Sequence, residues 1–387
     1  MRILHTADWH IGRMLEGRSR LTEHTAFLEE LEVIIREEKA DVLLVAGDVF
    51  DSVNPPADAE SLFYEKMAAI SSRCGIPIAV IAGNHDHPER LEAPRQLAAA
   101  QNIHILGYPG RKPLMIPVKE DILQLAALPY PSEARMKTLF TSDPKETKIR
   151  QAYQKKVREL FDAMTASFHP GHVRMAVSHL FAAGGAESDS ERPIEVGGAY
   201  TLSSTSFPAD IQYMALGHLH RPQNIHHPDY PVRYSGSPLA FSFSEAGHQK
   251  SVTVVDVQAD DKIADIREVP ISSGSPLVQW KAEGGMDQVK KWIDEKKDRN
   301  AWVELQLHLD DSPSMEDIQL IRKHHPGIVH IYPVFPEKQI ALSTENRSSL
   351  PIDALFQKFY EKQTGGASPD EELVQLFMEL VEEGDEE

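Results

Sequence analysis

Two apolar runs, VLLVAG at 42–47 and IAVIAG at 78–83, each stop at a glycine and give way at once to polar side chains. Short, wholly apolar and bounded in this way, they read as strands buried on both faces. Between such runs lie segments of helical period. In 22–39, Phe27, Leu28, Leu31, Ile34 and Ile35 fall on one side, with Thr22 as the expected N-cap. Further helices are expected at 57–73, after Pro55-Pro56, and at 88–100. This βαβαβ order implies a mainly parallel sheet with helices on its faces. Strands at 103–106, 114–118 and 122–128 and a long helix at 145–167 follow. A second strand group opens with RMAVSH (174–179). A Gly- and Ser-rich loop, 182–206, leads to YMALGHLH (213–220) and to strands near 231–235, 251–257 and 262–269. Residues 1–270 therefore read as one α/β sandwich.

Past Pro270 the texture changes. ISSGSP (271–276) has linker composition. Helix 286–298, strand 301–309, helix 314–325 and strand 328–334 then make a small βαβαβ-like α+β module. Two further helical segments, 352–362 and 370–383, flank QTGGASP. The second carries Leu373, Leu376, Phe377, Leu380 and Val381 as an apolar stripe on an acidic background. Such a helix docks a partner or folds back on its own domain; the tether-like loop before it favours docking.

The formal charge is -19, and residues 370–387 hold nine acids and no bases. The chain lacks the basic field of a protein that grips long DNA alone, so a partner is expected to supply part of any such grip. Cys74 is the sole cysteine, which excludes an internal disulfide and suits a reducing cytoplasm. No apolar run approaches the roughly 20 residues of a membrane span, and the opening MRILHTADWH lacks secretory-signal character. A P-loop and sustained heptads are also absent from the sequence.

Five motifs carry the chemistry: Asp8-Trp9-His10, Gly47-Asp48 with Asp51, Gly83-Asn84-His85-Asp86, Ser178-His179, and Gly217-His218-Leu219-His220. Singly each has an ordinary explanation: a surface pair, a turn, a helix cap, a core histidine. Together, carboxylates, imidazoles and an amide repeatedly end apolar strands, which packing does not explain. Period 2 predicts that Asp8 and His10 share a side, as do His218 and His220. Mixed oxygen and imidazole donors without thiolate suit Mn²⁺, Fe or Zn²⁺. Two such ions about 3.5–4 Å apart need a shared carboxylate, for which Asp48 is the candidate, and can activate water and clamp phosphate oxygens.

This array resembles the calcineurin-like metallophosphoesterases. HTADWHIGR (5–13), GDVFDSVNPP (47–56), AGNHDHPER (82–90), ALGHLHRPQ (215–223) and YSGSPLAFSFSE (234–245) resemble its branch of bacterial DNA-repair nuclease subunits. Ser52-Val53 and Asp86 depart from the Arg-Gly and Glu of the superfamily's protein phosphatases. The resemblance implies a four-layer αββα nuclease sandwich over 1–270, a capping domain over 271–345 and a helical partner-docking segment over 346–387. It implies one ion held by Asp8, His10, Asp48 and His220, and another by Asp48, Asn84, His179 and His218, with manganese expected. His85 is then not a ligand but a general acid for the leaving oxygen, or a stabiliser of the pentacovalent state. Asp51 orients it, or is a turn aspartate.

The implied activity is double-strand exonuclease and single-strand or hairpin endonuclease, in DNA repair, recombination and replication. The implied partners are DNA, a second copy of the chain and a coiled-coil ATPase, in a heterotetramer. The alternatives are a phosphoesterase for a small molecule or protein, and a non-catalytic scaffold. Among the remaining histidines, His5 and His104 are expected to pack in strands. His169, His172, His226 and His227 are expected in loops, and His87 near solvent or phosphate. Arg13, Arg18 and Arg20 are expected against a DNA backbone or in a solvated loop.

Overall fold

The apolar runs become strands buried along their whole length: Val42–Val45 and Ile78–Ile81 expose no residue. A computed structural model describes residues 1–136, 145–191, 200–309, 315–335, 352–363, 369 and 373–378. The chain divides into two compact units, Met1–Val334 and Phe335–Glu387.

The first unit is built on two six-stranded sheets. In one, Arg2–Thr6, Val42–Val45, Ile78–Ile81 and Ile103–Leu106 run parallel in that spatial order. Ser251–Asp256 pairs antiparallel on the other side of Arg2–Thr6, with Asp265–Pro270 at the edge. In the second sheet Val232–Tyr234, Tyr213–Gly217, Val173–His179 and Asp121–Leu128 are parallel. Antiparallel Gln223–Ile225 and Leu114–Val118 form its edges.

The sheets pack face to face. Ile3, Leu44 and Ile81 meet Leu125, Met175 and Tyr213 in a buried layer. The opposite face of the first sheet, including Leu4, Val45 and Val80, packs against Phe27, Leu31, Phe63 and Met67 of helices Leu21–Glu37 and Ala57–Cys74. The second sheet's outer face packs against Tyr153, Val157 and Phe161 of helix Glu146–Thr165. This is the expected four-layer αββα order. Each large apolar side chain so buried contributes about 1.5–3 kcal/mol relative to exposure.

Local chemistry shifts two of the expected helices. The first starts at Leu21 with Arg20, not Thr22, at the N-cap. Ser19 Oγ accepts the Leu21 N–H at 3.3 Å, which satisfies a free donor one residue before the expected cap. The helix expected over 88–100 is two pieces, Pro88–Glu92 and Arg95–Ala99. Pro94 sits between them and has no N–H to continue the ladder.

A separate parallel sheet of Leu277–Ala282, Trp302–His308 and Ile328–Val334 carries helices Gly285–Asp294 and Met315–His324. Its first strand follows the linker directly. Gln279 and Lys281 interrupt its apolar residues, so it reads poorly in the sequence. Trp280, Val289, Val303, Leu305 and Ile321 form the module's own core. Leu277 and Val329 pack on Leu15 of the sandwich. Glu23 links the two parts: its carboxylate accepts from Trp302 Nε1 at 2.9 Å and from the Ser275 N–H at 2.7 Å.

Arg20 completes that junction. It donates to both Glu23 oxygens, at 3.0 and 2.8 Å, and is 1% exposed. It is therefore neither a solvated loop residue nor free to meet a DNA backbone. Its neighbour Arg18 is exposed.

In the second unit, helix Ile352–Gln363 places Phe356 in a stack with Phe377, ring centroids 4.1 Å apart. Leu380, Val381, the tether at 364–368, the module's last residues 336–345 and part of the Gly/Ser loop, 192–199, lie outside the described residues. Among the described residues no helix is long and apolar enough to cross a membrane.

Candidate metal centre

Three neighbouring parallel strands of the first sheet lead into Asp8 and His10, Asp48 and Asp51, and Asn84 and His85. In the second sheet Val173–His179 ends on His179, and Tyr213–Gly217 leads into His218 and His220. Parallel strands point their carboxyl ends the same way, so these loops meet at one end of the sandwich.

The backbone there is not extended. Asp8, His10 and Asp48 are left-handed at φ 56°, 46° and 50°, and His218 has φ 111°. The pairs Asp8/His10 and His218/His220 therefore reach the centre through turns, not through the strand alternation expected of them. Such conformations cost about 1–3 kcal/mol each and persist only when surrounding bonds fix them. Here Asp8 N–H donates to Gly47 O and His10 N–H to Asp48 O, both at 3.0 Å. His218 N–H donates across the sheets to Asp8 Oδ1 at 2.8 Å, and His85 N–H to Asp48 Oδ1 at 2.9 Å. Two glycines permit the close approach. A Cβ on Gly217 would strike the Ala46 carbonyl, and one on Gly47 would strike the His179 ring.

All seven candidate ligands are brought together, in two overlapping groups. His10 Nε2 lies 3.1 Å from His220 Nε2 and 3.6 Å from Asp48 Oδ2. Ligand atoms of Asp8, His10 and His220 lie within 4.8 Å of one another. On the other side His179 Nε2 is 2.8 Å from Asn84 Oδ1 and 3.3 Å from Asp48 Oδ2. His218 Nδ1 is 3.3 Å from the same Asn84 oxygen. Asp48 Oδ2 is thus common to both groups.

Burial works against charge throughout the centre, and proximity decides the outcome. Burial pushes Asp8 well above the usual carboxylate range; His179 opposes this and the charge of Asp48 adds to it. Burial acts the same way on Asp48, but the facing His179 overrides it and holds Asp48 well below that range. His179 in turn is raised to about 9 against its own burial, by Asp48. Burial keeps His10 and His220 down, and with the charge of His179 it takes His218 to about 3. Imidazole nitrogens freed of their protons beside carboxylate oxygens are the donor set a divalent cation takes. Asp8 Oδ2 is buried without a hydrogen-bond partner, as expected of an atom reserved for a cation. His179 Nδ1–H donates to Ala46 O at 2.9 Å, which turns Nε2 to the centre. The residues fit a divalent cation site.

His85 and Asp51 stand beside this cluster. His85 Nδ1 donates to the main-chain carbonyl of Asp51 at 2.7 Å. The Asp51 carboxylate instead lies 3.4 Å from both His10 Nδ1 and Arg13 Nη1. Asp51 therefore meets His85 through its backbone and not through its acid group. Both residues line an open cavity of about 610 Å³ with Arg13, Ser52 and Asn54.

Sequence reasoning missed how the Asn84–His85 turn is held. Asp86 accepts three main-chain N–H groups, from Gly83 at 2.8 Å, Phe50 at 2.9 Å and Val49 at 3.2 Å. Arg135 brackets the same turn, donating to Gly83 O at 2.7 Å and Asp86 O at 2.5 Å. Arg135 lies in a segment without periodicity, so only the fold reveals it. His87 caps helix Pro88–Glu92, accepting the Arg90 N–H at 3.4 Å.

Comparison with known proteins places the chain in a family. The family described as Calcineurin-like phosphoesterase matches residues 1–222. The one described as Type 5 capsule protein repressor C-terminal domain matches residues 274–364. The SbcD subunit of nuclease SbcCD from Bacillus subtilis is 51% identical, over 100% of this chain and 99% of its own. Its counterpart in Escherichia coli is 30% identical over 97% of both chains, and that of Rhodobacter capsulatus 37% over 73% and 72%. The chain belongs to the calcineurin-like phosphoesterases and, within them, to the SbcD family of SbcCD nuclease subunits.

Proposed function

We propose that the chain hydrolyses DNA phosphodiester bonds as the nuclease subunit of an SbcC-type coiled-coil ATPase complex, in the cytoplasm. The observation that carries this reading is the single Asp48 oxygen shared by two groups of donors. Asp8, His10, Asp48 and His220 would hold one divalent ion, and Asp48, Asn84, His179 and His218 the other, with manganese the proposed metal. When bound, such a pair acidifies water toward a nucleophile and neutralises charge on the non-bridging phosphate oxygens.

The chain's own groups supply the rest. A carbonyl only accepts, so Asp51 O keeps a proton on His85 Nδ1. In the imidazolium form, His85 Nε2–H is the proton available to the departing sugar oxygen. Arg13, on the cavity wall, supplies positive charge where a phosphate would lie. The module after residue 271 restricts which DNA ends reach the cavity. With a charge of -19, the chain relies on the ATPase for grip on long duplexes. The C-terminal helices dock that partner, and two copies of each chain make the assembly.

A manganese-dependent assay of the purified chain, with and without its ATPase, on linear and hairpin DNA tests this. Cleavage of both substrates, with ATP-dependent hairpin opening, is expected. Hydrolysis of small phosphodiesters with no DNA cleavage under any condition would reject it.

A further inference from the structure

Residues 188–191 reach the metal centre from a loop that carries none of the five motifs. Glu191 Oε1 accepts the His220 main-chain N–H at 2.8 Å. Ser190 Oγ lies 2.5 Å from His220 Nδ1. Ser190 Oγ is 2.9 Å from Ser188 Oγ, which donates to Glu191 Oε2 at 2.7 Å. The bonds close a ring that begins and ends on His220.

Proton counting sets the direction around that ring. The Glu191 carboxylate can only accept, so the Ser188 hydroxyl gives its proton there. Ser188 can then only accept from Ser190. Ser190, with its one proton used, must accept from His220 Nδ1–H. The proton of the neutral imidazole therefore sits on Nδ1, and the Nε2 lone pair faces His10 Nε2, 3.1 Å away. Ser190 is 5% and His220 1% exposed, so solvent does not compete for these bonds. The far side of His220 is held as well. Lys250 Nζ donates to His220 O at 3.0 Å and to Ser237 Oγ at 2.9 Å, and it pairs with Glu245. Lys250 is 7% and Glu245 2% exposed.

We infer that Ser188, Ser190 and Glu191 are positioning residues for one of the two cations, fixing His220 with Nε2 presented to Asp8, His10 and Asp48. This rests on the two-cation reading above. The loop is then a functional part of the site although no residue in it is a ligand. Partners of this kind that fix the tautomer of a metal-binding histidine are worth about 10–100-fold in affinity.

Manganese titration of the full chain by calorimetry and electron paramagnetic resonance tests the inference. The wild type is expected to take two ions. Ser190→Ala and Glu191→Gln should each weaken one ion by about 10–100-fold and leave the other unchanged. Ser190→Thr keeps a hydroxyl and should restore binding. Ser190→Ala removes one oxygen, and its urea midpoint separates loss of fold from loss of positioning. Unchanged affinities in both weakening variants would overturn the inference. A wild type that binds fewer than two ions would instead reject the two-cation reading. Nitrogen-15 spectra of the metal-free chain keep the two apart: a wild-type His220 protonated on Nε2 defeats the positioning role whatever the metal count.

Discussion

The two sheets make unlike halves of one centre. The first supplies both candidate carboxylates, the amide, His10 and the neighbouring His85, all from turns after adjacent parallel strands. The second supplies only imidazoles, from His179, His218 and His220. The first half is placed by its own main chain, through left-handed turns at Asp8, His10 and Asp48. The second is aimed by distant groups: Ala46 O fixes His179, and Ser190 meets His220. The carboxylates thus gather on one side and three of the four imidazoles, with borrowed orientation, on the other, and left-handed backbone at Asp8, His10 and Asp48 faces a positive φ at His218. A centre divided this way forms only when both sheets are packed.

The strongest break in that division is at Asp48, whose Oδ2 is common to both groups of donors. Asp48→Asn should abolish both manganese binding and DNA cleavage. Calorimetry showing two ions at wild-type affinity would contradict the shared carboxylate. Next in size, His85→Asn should lower the single-turnover cleavage rate by about 10²–10⁴-fold while manganese affinity stays the same. A near-normal rate would assign the acid to another group.

A third effect is on stability. A cation that needs donors from both sheets should hold them together. Manganese at a hundred times its Kd should raise the unfolding free energy by about 2.7 kcal/mol for each ion bound, and chelation should remove that gain. Urea midpoints unaffected by manganese would show that the folded chain takes up no such ion.

The smallest effect is a pH dependence of the sheet-to-sheet contact itself. His5 of the first sheet bonds Tyr213 of the second, with 3.0 Å between Nδ1 and Oη. Burial, helped by Arg233, lowers His5 from 6.5 to about 3. The unfolded chain therefore takes up this proton first as pH falls below 6.5. The contribution is whole above that pH and is lost on acidification toward about 3, by up to about 1.4 kcal/mol per pH unit. His5→Gln in the chelated protein should flatten the slope of stability against pH between 6.5 and 4. An unchanged slope would show that His5 is protonated in the fold.

The same contrast explains what could be read from the sequence. Asp8, Asp48 and Asn84 were legible because each follows an apolar strand within a few residues, and local pattern survives in a string. The manner of their convergence was not. Alternation along a strand predicts a shared side for Asp8 and His10, whereas positive φ at both residues achieves it. Arg135 acts on a carbonyl 52 residues away and Glu191 on an N–H 29 residues away. No periodicity marks such residues, and only a charged side chain amid Ser and Gly hints at Glu191. Arg20 was misjudged for the same reason. Its run of basic neighbours looks solvated, but the Ala240 carbonyl and Phe241 ring that meet it lie over 200 residues downstream.

Gly217 and Gly47 lie where main chain of one sheet meets main chain or a ring of the other, with no room for a methyl group. The spacing of the two sheets at the centre is thereby set by main chain against main chain at Gly217 and by main chain against the His179 ring at Gly47. Trading a carboxylate for an imidazole in this centre should retune which element is preferred. The distance between the two seats should stay as the glycines fix it, so the spacing would be inherited while the occupants change.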